Sequence, residues 1–378
     1  MKTTKLPAVF MRGGTSKALM LHLRDLPADR DEWKDIFLRA MGSPDPFGRQ
    51  LNGMGGGTSS LSKVCIIAPS DRDDADVNYT FVQVAVHDAQ IDMSGNCGNM
   101  LSAIGPFAVD EGLVPPEDGH TTVRIFNTNT SKVIHARFPT DANGAVYAGD
   151  CAIPGVSGTG APIRLDFLNP GGATTGKLLP TGNARDVLSV NGREIEVSMS
   201  DAGNACVFVR ASDVNMPGNA LPSQISDQPG LLTSLDSIRV AASIKMGISS
   251  SVEEAGRIRH VPFVVVVSEP KDAATTSGEH LSASDMNLTA RVISNGQPHQ
   301  ALPLTATLCT AVAADIHGSL VHELAKRTKE GSFNIGMPSG ILSAAAEVIT
   351  LVDGPVAKRG SFFRTARRHF KGEVYVAD

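Results

Sequence analysis

The chain has 378 residues, 42% of them hydrophobic and 19% charged, the balance of a soluble globular protein with length for two domains of about 180 residues each. A formal charge of −5 excludes a general nucleic-acid surface and means that local donors must meet any anionic substrate. The five scattered cysteines (Cys65, Cys97, Cys151, Cys206, Cys309) form no Cys-x-x-Cys pair, Met1–Pro7 lacks the apolar core of a secretory signal, and no apolar run spans a bilayer. These features read as a cytoplasmic protein with reduced thiols, no disulfide framework and no structural zinc.

Taken in chain order, Val9–Leu21 reads strand, glycine turn, strand. Gly53–Lys63 is a glycine- and serine-rich loop leading into a β-branched strand, Val64–Ala68. An alternating strand, Phe81–Val86, comes before the turn Met93–Asn99. The apolar run Met100–Val109 then reads as a buried helix that Gly105-Pro106 should bend or interrupt. Turn residues cluster at Leu179–Asn183, which places a boundary between domains 1–182 and 183–378. The last strand has the option of returning to the first domain.

In the second half, Glu196–Val209 repeats the strand-turn-strand plan, Val261–Val267 is a short apolar run, and Glu269–Ser284 reads as a surface loop. Ser94–Val114 and Ala301–Val321 both read as a small-residue helix followed by a glycine turn. Two echoes in the same order argue for duplicated domains, each a sheet wrapped on a central helix.

Cys97 sits among Gly95, Asn96, Gly98 and Asn99 at the start of a helix. There the helix dipole favours a thiolate, and first-turn N–H groups can hold a carboxylate or enolate oxygen. A free cysteine is usually a small buried hydrophobe, but a core position has no need of such flanks. The other four cysteines lack them and read as structural. Gly53–Lys63 invites comparison with a phosphate-binding loop, yet Lys63 enters a strand rather than a helix, so a nucleotide reading fails. A desolvated Lys63 would offer a neutral amine as a base, whereas a surface lysine is the commoner outcome for that spacing. Arg12-Gly13-Gly14-Thr15-Ser16-Lys17 is either a carboxylate clamp or a plain glycine turn. Arg291 could pair with a second carboxylate, and His299 and Thr305 flank the second helix start. No His/Asp/Glu cluster has metal-ligand spacing, and neither a Gly-x-Ser-x-Gly elbow nor a dinucleotide fingerprint is present.

Several segments together resemble the PrpF family, in family order over nearly the whole chain. They are Met11–Lys17, Gly42–Asp45, Gly53–Gly56, Thr58–Lys63, Ser94–Asn99, Gly105–Ala108, Leu179–Asn183 and Arg364–Arg368. That family contains 2-methylaconitate cis-trans isomerase, methylitaconate Δ-isomerase and 4-oxalomesaconate tautomerase. The resemblance implies an α/β (α+β) fold of the diaminopimelate epimerase type, two pseudo-symmetric domains with a cleft between them. Each would have a central helix wrapped by a mostly antiparallel sheet.

It also implies cofactor-independent isomerisation, by proton transfer, of a small unsaturated di- or tricarboxylate, with Lys63 and Cys97 catalytic. Arg12, Ser16, Ser94, Asn96, Gly98, Asn99, Arg291, His299 and Thr305 are the substrate-binding candidates. Diaminopimelate epimerase uses one cysteine from each domain, and the second helix start, around Leu304-Thr305, has none, so Lys63 becomes the second proton carrier. An oxalomesaconate tautomerase, an amino-acid epimerase and a non-catalytic dehydratase accessory protein are the alternatives. The partner is a small acid, with neither nucleic acid nor membrane, and a homo-oligomer is compatible.

Overall fold

The structure, a computed structural model, describes residues 4–93, 97–259, 261–326 and 332–376. The chain divides into two compact units, Met1–Asp166 with Phe363–Asp378, and Phe167–Phe362. The turn-forming Leu179–Asn183 lies inside the second unit, where Leu178 and Leu179 join an apolar core. No helix among the described residues is long and apolar enough to cross a membrane.

The first unit opens with β1 (Thr4–Gly13) and β2 (Ser16–His22), an antiparallel pair joined at Gly14, whose φ of 52° puts it in the left-handed region. All of β2 except Lys17 is buried, as expected for a strand covered on both faces. Helix α1 (Trp33–Met41) follows, burying Trp33, Phe37 and Met41 at helical spacing and ending at Gly42 with φ 78°. β3 (Lys63–Pro69) runs parallel to β2, and β4 (Val77–Val84) returns antiparallel to β3. Helix α2 (Gly98–Asp110) then leads to strand Gly119–Asn127, parallel to β4, and to Lys132–Asp141, antiparallel to that. The final strand, Ala366–Val376, pairs with β1 from Thr4↔Val376 to Gly13↔Ala366, so the chain's end belongs to the first unit.

The pleat separates two layers. Leu19 and Leu21, Val64 and Ile66, and Val82 and Val84 face α1 with Trp33 and Phe37. The alternate residues face α2, which touches β1, β2, β3 and the strands Gly119–Asn127, Lys132–Asp141 and Ala366–Val376. α2 is therefore the central helix, buried at every position from Met100 to Val109. It also runs through Pro106 without interruption, contrary to the sequence expectation. Burial on all sides holds the backbone that proline alone would break. Gly105 lets the strand close in, because a Cβ there would meet Phe138 Cε1 at 2.6 Å.

The second unit repeats this order of pairings. Arg193–Asp201 is antiparallel to Ala205–Arg210, which is parallel to Phe263–Ser268, itself antiparallel to Leu288–Ser294. The latter is parallel to Phe333–Met337, and that strand is antiparallel to Gly340–Leu351. Helix Leu304–Ala314 takes the place of α2, packed with Phe208, Val265 and Ile335, and Leu231–Lys245 takes the outer place of α1. The duplication expected from the sequence is thus a topological one. Glu269–Ser284 is not wholly loop, since Ala273–Ala274 and His280–Leu281 pair within it.

Candidate active site

Lys63 is the first residue of β3, directly opposite Gln83 in the antiparallel register with β4. Residues directly opposite share a face, as do alternate residues along a strand. Lys63, Cys65, Gln83, Phe81 and Tyr79 consequently line the face that looks toward α2, together with Ser16, Ala18 and Met20 of β2. Lys63 is only 7% exposed. Its Nζ donates to Gln83 Oε1 at 2.5 Å and lies 5.0 Å from the centre of the Phe81 ring. Among the described residues it has no acidic partner. Gln83 is itself held, since its Nε2 donates to the carbonyls of Ser59 (3.0 Å) and Ser62 (2.8 Å). Gln50 fixes the same loop by donating to Ser43 Oγ and Ser62 Oγ while accepting from the N–H of Gly57.

Cys97 is the N-cap of α2, extended at φ −113°, ψ 96°, and its carbonyl accepts the N–H of Leu101. The thiol is 9% exposed and lies 4.0 Å from Ser16 Oγ at the start of β2. Beneath it, burial pushes the Cys65 thiol up, with Cys97 acting in the same direction, while the hydroxyl of Tyr79 and the ammonium of Lys63 pull the other way. Cys65 thus feels both candidate catalytic groups. Lys63 stands on the face of the sheet that looks toward α2, the helix that Cys97 caps, and Cys65 is the group that interacts with both.

The β1–β2 turn presses against that helix turn. A Cβ on Gly13 would lie 2.7 Å from the carbonyl oxygen of Asn99 and 3.0 Å from Met100 Cα, so only glycine permits this approach. Asn99 Nδ2 donates to Thr15 Oγ1 at 3.0 Å, and its Oδ1 accepts from Arg364 Nε at 3.3 Å. Arg12 Nη1 donates to the carbonyls of Gly14 and Thr365, both at 2.9 Å. Burial lowers the Arg12 pKa, and neighbouring Arg367 adds to the effect. Burial likewise brings Arg364 down to about 10. Guanidinium groups around a helix N-terminus make a field that favours an anion. Among the described residues no three His, Cys, Asp or Glu side chains are grouped as metal ligands.

Of the residues singled out from sequence, Arg12, Ser16, Lys63, Cys97, Gly98 and Asn99 all belong to the first unit, with Arg12 opposite Lys17 on the other face of the sheet from Ser16 and Lys63. Ser94, Gly95 and Asn96 lie outside the described residues. Arg291, His299 and Thr305 belong to the second unit. Arg291 needs correcting. It is 1% exposed and donates to the carbonyls of Ala220 (2.6 Å), Ala290 (2.8 Å) and Gly336 (3.2 Å), while its Nη2 finds no acceptor among the described residues. A guanidinium walled in this way ties strands together and has no open face for a carboxylate. His299 is half-buried, and its Nδ1 accepts the N–H of Ala301 at 3.0 Å. Thr305 is the half-buried second residue of its helix.

Sequence reasoning missed Gln83 and left Arg364 without a role. Gln83 meets Lys63 only through strand register, twenty positions away in the chain. Arg364 stood in a quoted motif, Arg364–Arg368, but its hydrogen bond to Asn99 spans 265 positions.

Residues 3–377 match the family model described as "PrpF protein". The chain is 41% identical to 3-methylitaconate isomerase of Eubacterium barkeri over 375 residues, 98% of this chain and 97% of that protein. It is 36% identical to 2-methyl-aconitate isomerase of Shewanella oneidensis over 387 residues, again 98% and 97%. A crystal structure of methylitaconate-delta-isomerase superposes with a TM-score of 0.92 at 40% identity, covering 100% of this chain and 96% of that one. The fold and the sequence agree, and the chain belongs to the PrpF family.

Proposed function

We propose that this protein is a cofactor-independent isomerase that moves a proton, and with it a carbon–carbon double bond, in a small unsaturated di- or tricarboxylate of the methylitaconate or 2-methylaconitate kind. Lys63, as the neutral amine, takes an allylic proton and becomes an ammonium. The electron pair left behind delocalises into the conjugated carboxylate as a dienolate. Its developing charge is met at the N-terminus of α2 by the N–H groups at Cys97, Gly98 and Asn99, assisted by Ser16 or Arg12. A proton returned to a different carbon, with Cys97 as the partner acid or base, shifts the double bond. Rotation in the delocalised intermediate exchanges cis for trans. No electrons are gained or lost.

The observation carrying this reading is a shared neighbour. An amine with no carboxylate partner among the described residues is buried on the sheet face toward α2, and a buried thiol caps that helix, with Cys65 interacting with both. The named relatives act on unsaturated acids, which is why the substrate is sought there. The test is incubation of the purified protein with methylitaconate, trans-aconitate and 4-oxalomesaconate in deuterated water, followed by proton NMR. A shifted double bond with deuterium at the new carbon in the methylitaconate sample is the expected result. Binding of every acid without conversion or exchange would sink the proposal and leave an accessory protein.

A further inference from the structure

Lys63 has a neutral neighbour where an ordinary buried lysine has a carboxylate. Gln83 Oε1 accepts from Nζ at 2.5 Å, and the amide cannot turn over to reverse this. Its Nε2 is spent on carbonyl oxygens, those of Ser59 and Ser62 and, more distantly at 3.4 Å, Val84. A flipped amide would set its oxygen against these carbonyls, replacing hydrogen bonds with repulsive contacts. The loop carbonyls thus force one orientation of Gln83, and Gln83 forces one position of the amine. Lys63 also meets the Phe81 ring and interacts with the Cys65 thiol, which in turn interacts with Cys97 and the Tyr79 hydroxyl. Among the described residues no carboxylate joins them.

We infer that Gln83 is a positioning residue for the proton-transfer step. It holds the Lys63 nitrogen toward the reacting carbon through one hydrogen bond, and because it is uncharged it leaves the amine free to exist without its proton. A carboxylate in the same place would hold the nitrogen equally well but would stabilise the ammonium and withhold the base. This rests on Lys63 being the base, a reading that the test checks separately.

The experiment compares wild type, Gln83→Glu, Gln83→Met and Lys63→Ala with methylitaconate across pH. It follows kcat, KM and solvent deuterium exchange, with circular dichroism and thermal melting as checks on folding. Gln83→Glu should move the acid limb of kcat/KM upward by about one to three pH units and regain activity in alkaline buffer. Gln83→Met should lower kcat by about tenfold or more, with little change in KM, because the untethered amine is misplaced. If folded Gln83→Glu keeps the wild-type acid limb, or folded Gln83→Met keeps the wild-type kcat, the inference is wrong. Lys63→Ala reports independently. Exchange that survives in it overturns the base assignment itself, whatever Gln83 does.

Discussion

At the scale of single residues, the first unit holds its buried charges in two different ways. On the sheet face toward α2, Lys63 is held by the neutral oxygen of Gln83. At the far end of α2 the reverse holds. Burial would raise the carboxyl of Glu111, but hydrogen bonds from Lys371, Arg368 and His22 outweigh it and hold the group at about 2 against an ordinary 4.5. A carboxylate at a helix C-terminus is otherwise disfavoured, so Lys371 and Arg368 are what make the site tenable. Because the folded value is depressed, the stabilisation is fully present above about 4.5 and is lost as pH falls towards 2. Glu111→Gln should therefore cost about 1–3 kcal/mol at pH 7, and its stability should change less than that of wild type on acidification through this window. Urea midpoints measured at several pH values check both statements. Equal acid sensitivity in the two proteins would remove Glu111 from the account. None of this was legible in the sequence, because the partners of Glu111 lie some 90 and 260 positions from it in either direction.

At the scale of elements, the close approach of the β1–β2 turn to the first turn of α2 fixes where Ser16 and Asn99 stand relative to Cys97. Gly13→Ala puts a methyl group into the helix backbone at Asn99 and Met100, neither of which can rotate away. The expected loss is about 1–3 kcal/mol of stability from overpacking, together with a fall in kcat of about 10²-fold from displacement of the site. Thermal melting and initial rates measure the two. A folded variant at full rate would mean that the turn does not position the chemistry. The glycines and the helix start at Gly98 could be read directly from the sequence, since backbone freedom and capping are local properties. The course of α2 through Pro106 could not, because packing by Ala136 and Phe138, not propensity, decides it. The polar stretch Glu269–Ser284 hid a two-residue pairing for a similar reason: so short a strand has no periodicity to detect.

At the scale of the whole molecule, the same order of strand directions appears twice, and only the first copy carries an amine and a thiol at the corresponding places. In the second, strand Phe263–Ser268 is apolar where β3 begins with Lys63, and the helix is capped by Pro303 where α2 has Cys97. Its cysteines, Cys206 and Cys309, are buried in the apolar core, and burial drives the Cys206 thiol far up. The duplicated plan was visible as two echoes in the sequence. The polar, glycine-rich flanks of Cys97 and the missing second cysteine were visible too. The orientation of Lys63 was not, because a lysine at a strand mouth snorkels to solvent as readily as it turns inward, and only Gln83 across the ladder decides it. The most direct measurement is deuterium uptake into methylitaconate by wild type, Lys63→Ala and Cys97→Ser, each verified as folded. Exchange should fall by about 10²–10⁴-fold on removing the Lys63 amine and substantially on replacing the Cys97 thiol. Undiminished exchange in both variants would contradict an amine and a thiol working together at the first turn of α2.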